Sequence, residues 1–113
     1  MAERPARFTV LITAGAASDL ASIHRYRLEH EGAASADRLL DQLTSMIDDL
    51  ARLPQRGSVP RELAGLGIQV FRQIMSAPYR VVYRISGRDV IIHLVADGRR
   101  DMVALLERRL LGG

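Results

Sequence analysis

Apolar positions along the chain follow two periods. Between Ala36 and Leu53 they fall at Ala36, Leu39, Leu40, Leu43, Met46, Ile47, Leu50 and Leu53, the three-and-four spacing that lines one face of a helix for five turns. From Gly67 to Asp101 they gather into short runs: Val70, Phe71 and Ile74, then Val81, Val82, Tyr83 and Ile85, then Val90, Ile91, Ile92, Leu94 and Val95. These are mostly the β-branched and aromatic residues that a pleated, packed surface favours. The breaks are turn chemistry, at Ser76-Ala77-Pro78, Ser86-Gly87-Arg88-Asp89 and Asp97-Gly98, so the pattern predicts three strands in an antiparallel meander. Pro78 cannot donate to a ladder and belongs in the first connection, while Gly87 supplies the positive φ of a tight hairpin.

The flanking segments complete the order. Phe8 to Thr13 predicts one strand, with Pro5 marking its start. Thr13 then caps a helix on which Ala17, Leu20, Ile23 and Leu28 approximate an apolar face and which Gly32 ends. Ser35 is expected to cap the second helix and Pro54 to close it, so that residues 32–34 alone join an antiparallel helical hairpin. A loop carrying Gly57 and Pro60 leads to a short turn at Arg61 to Ala64. Asp101 caps a last helix, Met102 to Leu111, with Met102, Leu105, Leu106 and Leu110 on one side. A helix this short is marginal alone and must dock on the domain or on a partner. The order β-α-α-β-β-β-α predicts an α+β fold in which the helical hairpin packs on a small antiparallel sheet. At 113 residues the chain has room for one domain, residues 1–113, with one modest core.

Composition narrows the function classes. No apolar run approaches the ~20 residues that cross a bilayer, and the start MAERPARF has no apolar signal core, so a cytoplasmic protein without membrane contact is expected. The absence of cysteine excludes disulfides, thiolate catalysis and sulfur-ligated zinc. All sixteen basic side chains are arginine; they clamp phosphates or carboxylates but are no ordinary general bases. The net charge of +3 suits nucleic acid or an acidic protein equally.

Candidate chemistry concentrates in the meander. Arg72, Arg80, Arg84 and His93 interrupt its apolar runs, which argues for one face on a core and one on water or a partner. With Arg99 and Arg100 these arginines offer planar forks to phosphates or to the carboxylates of an acidic peptide. The alternative is intramolecular pairing with Glu62, Asp89 or Asp101. His93, in phase with Ile91 and Val95, is either a packed strand residue or the one near-neutral proton carrier of the meander. Tyr79 and Tyr83 alternate with Arg80 and Arg84, which turns them toward a core. His24 and His30 do not share a helix face, so no metal site is expected. No phosphate-binding loop, dinucleotide fingerprint or Ser/His/Asp set is present, so no cofactor is expected.

The motifs in order resemble a known family. VLIT followed by AGAASDLASI at Val10 to Ile23, the Ala36 to Gly57 helix and loop, LGI and FRQ leading to YRVVYRI at Leu66 to Ile85, and a strand ending in DGRRD resemble the ParE branch of the RelE/ParE toxin superfamily over nearly the whole chain. The resemblance implies the toxin of a bacterial type II toxin-antitoxin pair, held inactive in a hetero-oligomer by a cognate antitoxin whose acidic segment folds on it. Toxins of this branch act on DNA gyrase, which implies no catalytic residue. Arg72, Arg80, Arg84, Arg99 and Arg100, with Met102, Leu105 and Leu106 of the last helix, are then expected target or antitoxin contacts. The RelE branch instead cuts mRNA on the ribosome. In that reading Arg72 and Arg80 match basic positions of the branch and clamp phosphate, His93 carries the proton, and the chain touches nucleic acid directly. The chain lacks the lysines and the C-terminal tyrosine that many such nucleases use. A third reading is a tamed toxin that still binds its antitoxin and does little else.

Overall fold

The computed structural model describes residues 7–112, and Thr13 ties its first two elements to the rest. Strand β1 is Thr9–Ile12 and helix α1 is Ala14–Glu31. Between them the Thr13 hydroxyl accepts the Ala16 N–H at 3.2 Å and donates to the Ile92 carbonyl at 2.8 Å. One side chain therefore caps the helix and pins its start to the sheet. Pro5 lies outside the described residues.

Helix α2 is Ala33–Asp48, running on through a 3-10 turn at Asp49–Ala51. Ser35 is not its cap. Gly32, at φ 91°, ends α1 with its N–H on the Leu28 carbonyl at 3.1 Å and begins α2 in the same step. A left-handed glycine reverses the chain in one residue, so Ser35 is already helical, its hydroxyl lying between Arg27 and Glu31. On α2, Ala36, Leu39, Leu43 and Ile47 are buried as the spacing predicts, and Leu50 follows them inward. Leu53 does not, because the helix has ended before it. On α1 the inward positions are Ala16, Leu20 and Ile23; Ala17 and Leu28 are exposed.

After the short helix α3, Arg61–Ala64, come β2 (Phe71–Ser76), β3 (Tyr79–Ser86) and β4 (Asp89–Asp97), then helix α4 (Met102–Leu110). The strands lie in the order β1-β4-β3-β2. The meander is antiparallel, as its turns predict, while β1 runs parallel to β4 with Thr9 opposite Asp89 and Ile12 opposite Ile92. The sheet is therefore mixed, the parallel pair being permitted by the long helical crossover.

Both faces of this sheet are covered. The hairpin α1–α2 closes one with Leu20, Leu39, Leu43, Ile47 and Leu50 against Ile74, Val81, Tyr83, Val90, Ile92 and Val95. The other carries Phe71, Val82, Leu94 and Ala96, sealed by Leu63 and by Met102, Leu105 and Leu106 of α4. The expectation of one open, arginine-bearing face is thus corrected. The near-continuous run Val81-Val82-Tyr83 is what a strand buried on both sides requires.

Tyr83 is the deepest polar anchor. Its phenol donates to the Pro54 carbonyl at 2.7 Å and accepts the Gly57 N–H at 3.1 Å, and burial pushes its pKa up. Only glycine fits at Gly57, where a Cβ would stand 2.6 Å from both the Gln73 carbonyl oxygen and the Tyr83 hydroxyl. Tyr83→Phe strands a buried carbonyl and a buried N–H, so urea unfolding is expected to show a loss of about 1–3 kcal/mol. An unchanged midpoint would mean that water replaces the phenol.

Candidate protein-contact surface

The strand arginines do not form one patch. Arg72 stands opposite Tyr83 on the hairpin side of the sheet and spends one guanidinium nitrogen on the Gln55 and Gly57 carbonyls, at 3.2 and 2.7 Å. Arg80 and Arg84 lie on the other side. Arg80 is 6 % exposed, and its fork meets both carboxylate oxygens of Glu62 at 2.8 Å while Nε donates to the Gln73 amide oxygen at 2.7 Å. A second nitrogen also contacts that amide oxygen. Hydrogen bonds from Arg80 hold Glu62 down to a pKa of about 2. The intramolecular pairing anticipated with Glu62 is therefore present, and it consumes the side chain best placed to grip a phosphate.

Arg84 donates from Nε to His93 Nε2 at 3.1 Å. His93 is the extra residue of a β-bulge: Val82 pairs with Leu94 and Tyr83 with Ile92, which leaves His93 unpaired and breaks its phase with Val95. Val95 turns into the hairpin core, whereas His93 meets the Phe71 ring edge-on at 5.5 Å. Burial, then Arg84 and Arg109, lower its pKa, so at neutral pH the ring is uncharged and Nε2 already serves as an acceptor.

Arg99 and Arg100 follow β4. Arg99 folds back on Asp97, with its guanidinium 2.6 Å from the carboxylate yet 78 % exposed; this hydrogen bond lowers the Asp97 pKa. Arg100 is exposed and, among the described residues, has no ion-pair partner. Of the residues singled out in sequence, these two stand together at the surface. Met102, Leu105 and Leu106 do not: each is at most 4 % exposed, because the apolar stripe of α4 docks on the second sheet face. A cleft of about 550 Å³ lies on one side of the 97–100 loop and one of about 570 Å³, toward α1, on the other.

Sequence reasoning missed a clamp across the fold. Asp19 of α1 receives both guanidinium nitrogens of Arg109 of α4 at 3.0 Å and accepts the Val95 N–H at 3.0 Å. Arg109 also donates to the His93 carbonyl at 3.0 Å. Ninety positions separate the partners, and no local spacing signals such a pair. Among the described residues, no group of three or more His, Cys, Asp or Glu is placed to hold a metal ion, and no helix is long and apolar enough to cross a membrane.

Comparison with known proteins adds four findings. The family described as "ParE toxin of type II toxin-antitoxin system, parDE" matches residues 10–102. Toxin ParE3 of Caulobacter vibrioides is 29% identical over 100 residues, covering 88% of this chain and 96% of that protein. Among solved structures, a chain of the chromosomal ParDE toxin-antitoxin system from P. aeruginosa superposes with a TM-score of 0.69 at 16% identity, covering 82% of this chain and 98% of its own. A chain of the RelBE2 toxin-antitoxin complex from Mycobacterium tuberculosis does so at 0.58 and 25% identity, over 80% and 98%.

Proposed function

The chain belongs to the ParE toxin family, the toxin component of ParDE-type type II toxin-antitoxin systems, and from that membership we propose that it arrests growth by binding DNA gyrase in the cytoplasm. It acts as a stoichiometric protein ligand, not as an enzyme. Its cognate antitoxin is the partner that silences it. The exposed Arg99–Arg100 ridge is the proposed contact with one or other of these proteins, in place of the full arginine set.

One observation carries the choice of binding over RNA cleavage: the groups a nuclease would need are already engaged within the fold. Arg80 is closed on Glu62, one nitrogen of Arg72 is held by backbone carbonyls, and the His93 Nε2 is taken by Arg84. Cleaving RNA needs free cations around the phosphate and a base with access to a 2′-hydroxyl.

The test is pulse-labelling of DNA synthesis and translation in the minutes after the chain is induced without its antitoxin. DNA synthesis is expected to fall first, and an excess of the folded chain is expected to block supercoiling by purified gyrase. His93→Gln, which keeps a side-chain acceptor, is expected to arrest growth as the wild type does. Translation falling first, together with loss of arrest in His93→Gln, would establish the nuclease reading instead.

A further inference from the structure

The two outermost strands of the sheet, β1 and β2, are closed to different extents. The outer edge of β2 is bridged at Gln73, which exchanges both backbone hydrogen bonds with Ser58, at 2.7 and 3.1 Å. On β1 the Thr9 and Thr13 N–H groups donate inward, to the Arg88 and Ile92 carbonyls at 2.9 and 3.1 Å. Alternation along the strand therefore turns the backbone groups of Phe8, Val10 and Ile12 outward. The Phe8 N–H bears out that phase by donating to the Ala51 carbonyl at 2.9 Å. Among the described residues, Val10 and Ile12 have no backbone partner on the outer side.

This edge is also unguarded. Charged side chains, proline and bulges are the devices that keep an exposed edge from pairing, yet from Phe8 to Ser18 the sequence holds no charged residue and no proline. Leu11 and Ile12 are 44% and 45% exposed, one on each face of the sheet. Ala51 closes the edge at Phe8, and the chain leaves it as α1 begins after Thr13. The open length thus runs from Thr9 to Thr13, and its midpoint is Leu11.

We propose that β1 pairs antiparallel with β1 of a second copy of this chain, about a two-fold axis at Leu11. In that register Val10 stands opposite Ile12 of the partner subunit, and Ile12 opposite the partner's Val10. Each pair exchanges both of its outward hydrogen bonds, so the open backbone groups on both copies are satisfied together. The side chains match as well. Val10, Leu11 and Ile12 already lie beside Val90, Ile91 and Ile92 of β4, and the pairing prolongs these into apolar rows across one continuous sheet. A second β1 is a better occupant than β2 of another molecule, because the β2 edge is bridged and only the two-fold contact closes on itself. The contact is smaller than the ~1,200 Å² of a stable interface, so the dimer is a transient one, forming at roughly 100 μM. Arg99 and Arg100 take no part in it, and the inference stands apart from the growth-arrest reading.

The test uses the full chain, made by cell-free synthesis. Sedimentation equilibrium between about 10 and 500 μM is expected to show the mean mass rising from 12.5 kDa toward twice that value. Leu11→Lys sets two ammonium groups face to face on the axis and is expected to keep the chain monomeric, with thermal melts checking that the fold persists. The chain has no cysteine, so Leu11→Cys reports the register directly. Residues facing each other without hydrogen bonds in an antiparallel pair have Cα atoms about 4.5 Å apart, within the span of a disulfide, and mild oxidation is expected to yield a covalent dimer. Met75→Cys on β2 and Val103→Cys on α4 replace side chains that are more exposed, at 58% and 52%, and are expected to crosslink at least about tenfold more slowly. A chain that stays monomeric throughout, a dimer that survives Leu11→Lys, or crosslinking as fast at 75 or 103 as at 11 overturns the inference. Where Leu11→Lys does not fold, the comparison of the three cysteine variants decides alone.

Discussion

Replacing Glu62 by Ala is expected to destabilise the fold by about 3–5 kcal/mol, because it leaves the Arg80 guanidinium buried without its counter-charge. The side chains of the pair are 7% and 13% exposed, so solvent cannot take over the missing contact as it does for a surface pair. For a domain of this size such a loss lowers Tm by roughly 4–8 °C per kcal/mol. The same pair makes stability pH-dependent. The Glu62 carboxyl titrates at about 2 in the fold against 4.5 unperturbed. A depressed carboxylate pKa stabilises fully above the unperturbed value and loses that contribution as pH falls toward the folded one. The difference amounts to on the order of 3 kcal/mol. Guanidinium melts at pH 7 and pH 3 should therefore show a gap between wild type and Glu62→Gln that narrows in acid. A gap independent of pH would mean that the pair contributes shape and not charge. Replacing both partners, with Glu62→Leu and Arg80→Met, is expected to recover most of the stability, since no buried charge is then left alone.

This pair also shows where reading the sequence succeeds and where it stops. Periodicity placed α2, the three meander strands, α4 and the caps at Thr13 and Asp101, because each depends on residues within a few positions of one another. Tyr83 and Val81 turned inward as alternation requires. The role of the arginines was not local information. Arg72 and Arg80 are eight apart and read as partners on one face, yet the break at Pro78 separates two antiparallel strands and puts them on opposite faces. His93 and Val95 alternate correctly in sequence, but one extra residue in β4 rotates them apart, and a bulge of this kind leaves no mark without its partner strand. The apolar side of α4 was visible. Whether it met a partner or its own sheet was not, since Val82, Leu94 and Ala96 identify themselves as a second core only once the strands are paired. Family resemblance supplied the chain's class, but individual positions carried over from it required the structure to show which side chains were still free.

Asp19→Ala is expected to lower stability by about 2–3 kcal/mol and to loosen the end of α4. The Asp19–Arg109 side chains are 17% and 24% exposed, between a surface pair worth at most about 1 kcal/mol and a buried pair whose rupture costs 3–5. The added weight comes from what the carboxylate holds besides charge. One oxygen takes the Val95 N–H on the side of β4 where β1 no longer runs, since β1 pairs with β4 only as far as Ile92. Arg109 meanwhile takes the His93 carbonyl. Together the two side chains satisfy backbone groups that a further strand would otherwise pair, while joining the first helix to the last. Asp19→Asn, which keeps an oxygen for Val95 but loses the charge, should recover part of the loss. A double-mutant cycle of Asp19→Ala with Arg109→Ala should return a coupling of about 1–2 kcal/mol, and the Val95 amide should exchange faster in both Ala variants. Additive losses with Val95 still protected would mean that α4 is held by its apolar stripe alone. Coupling with early exchange would instead make this clamp the lock between the helical hairpin and the C-terminal helix.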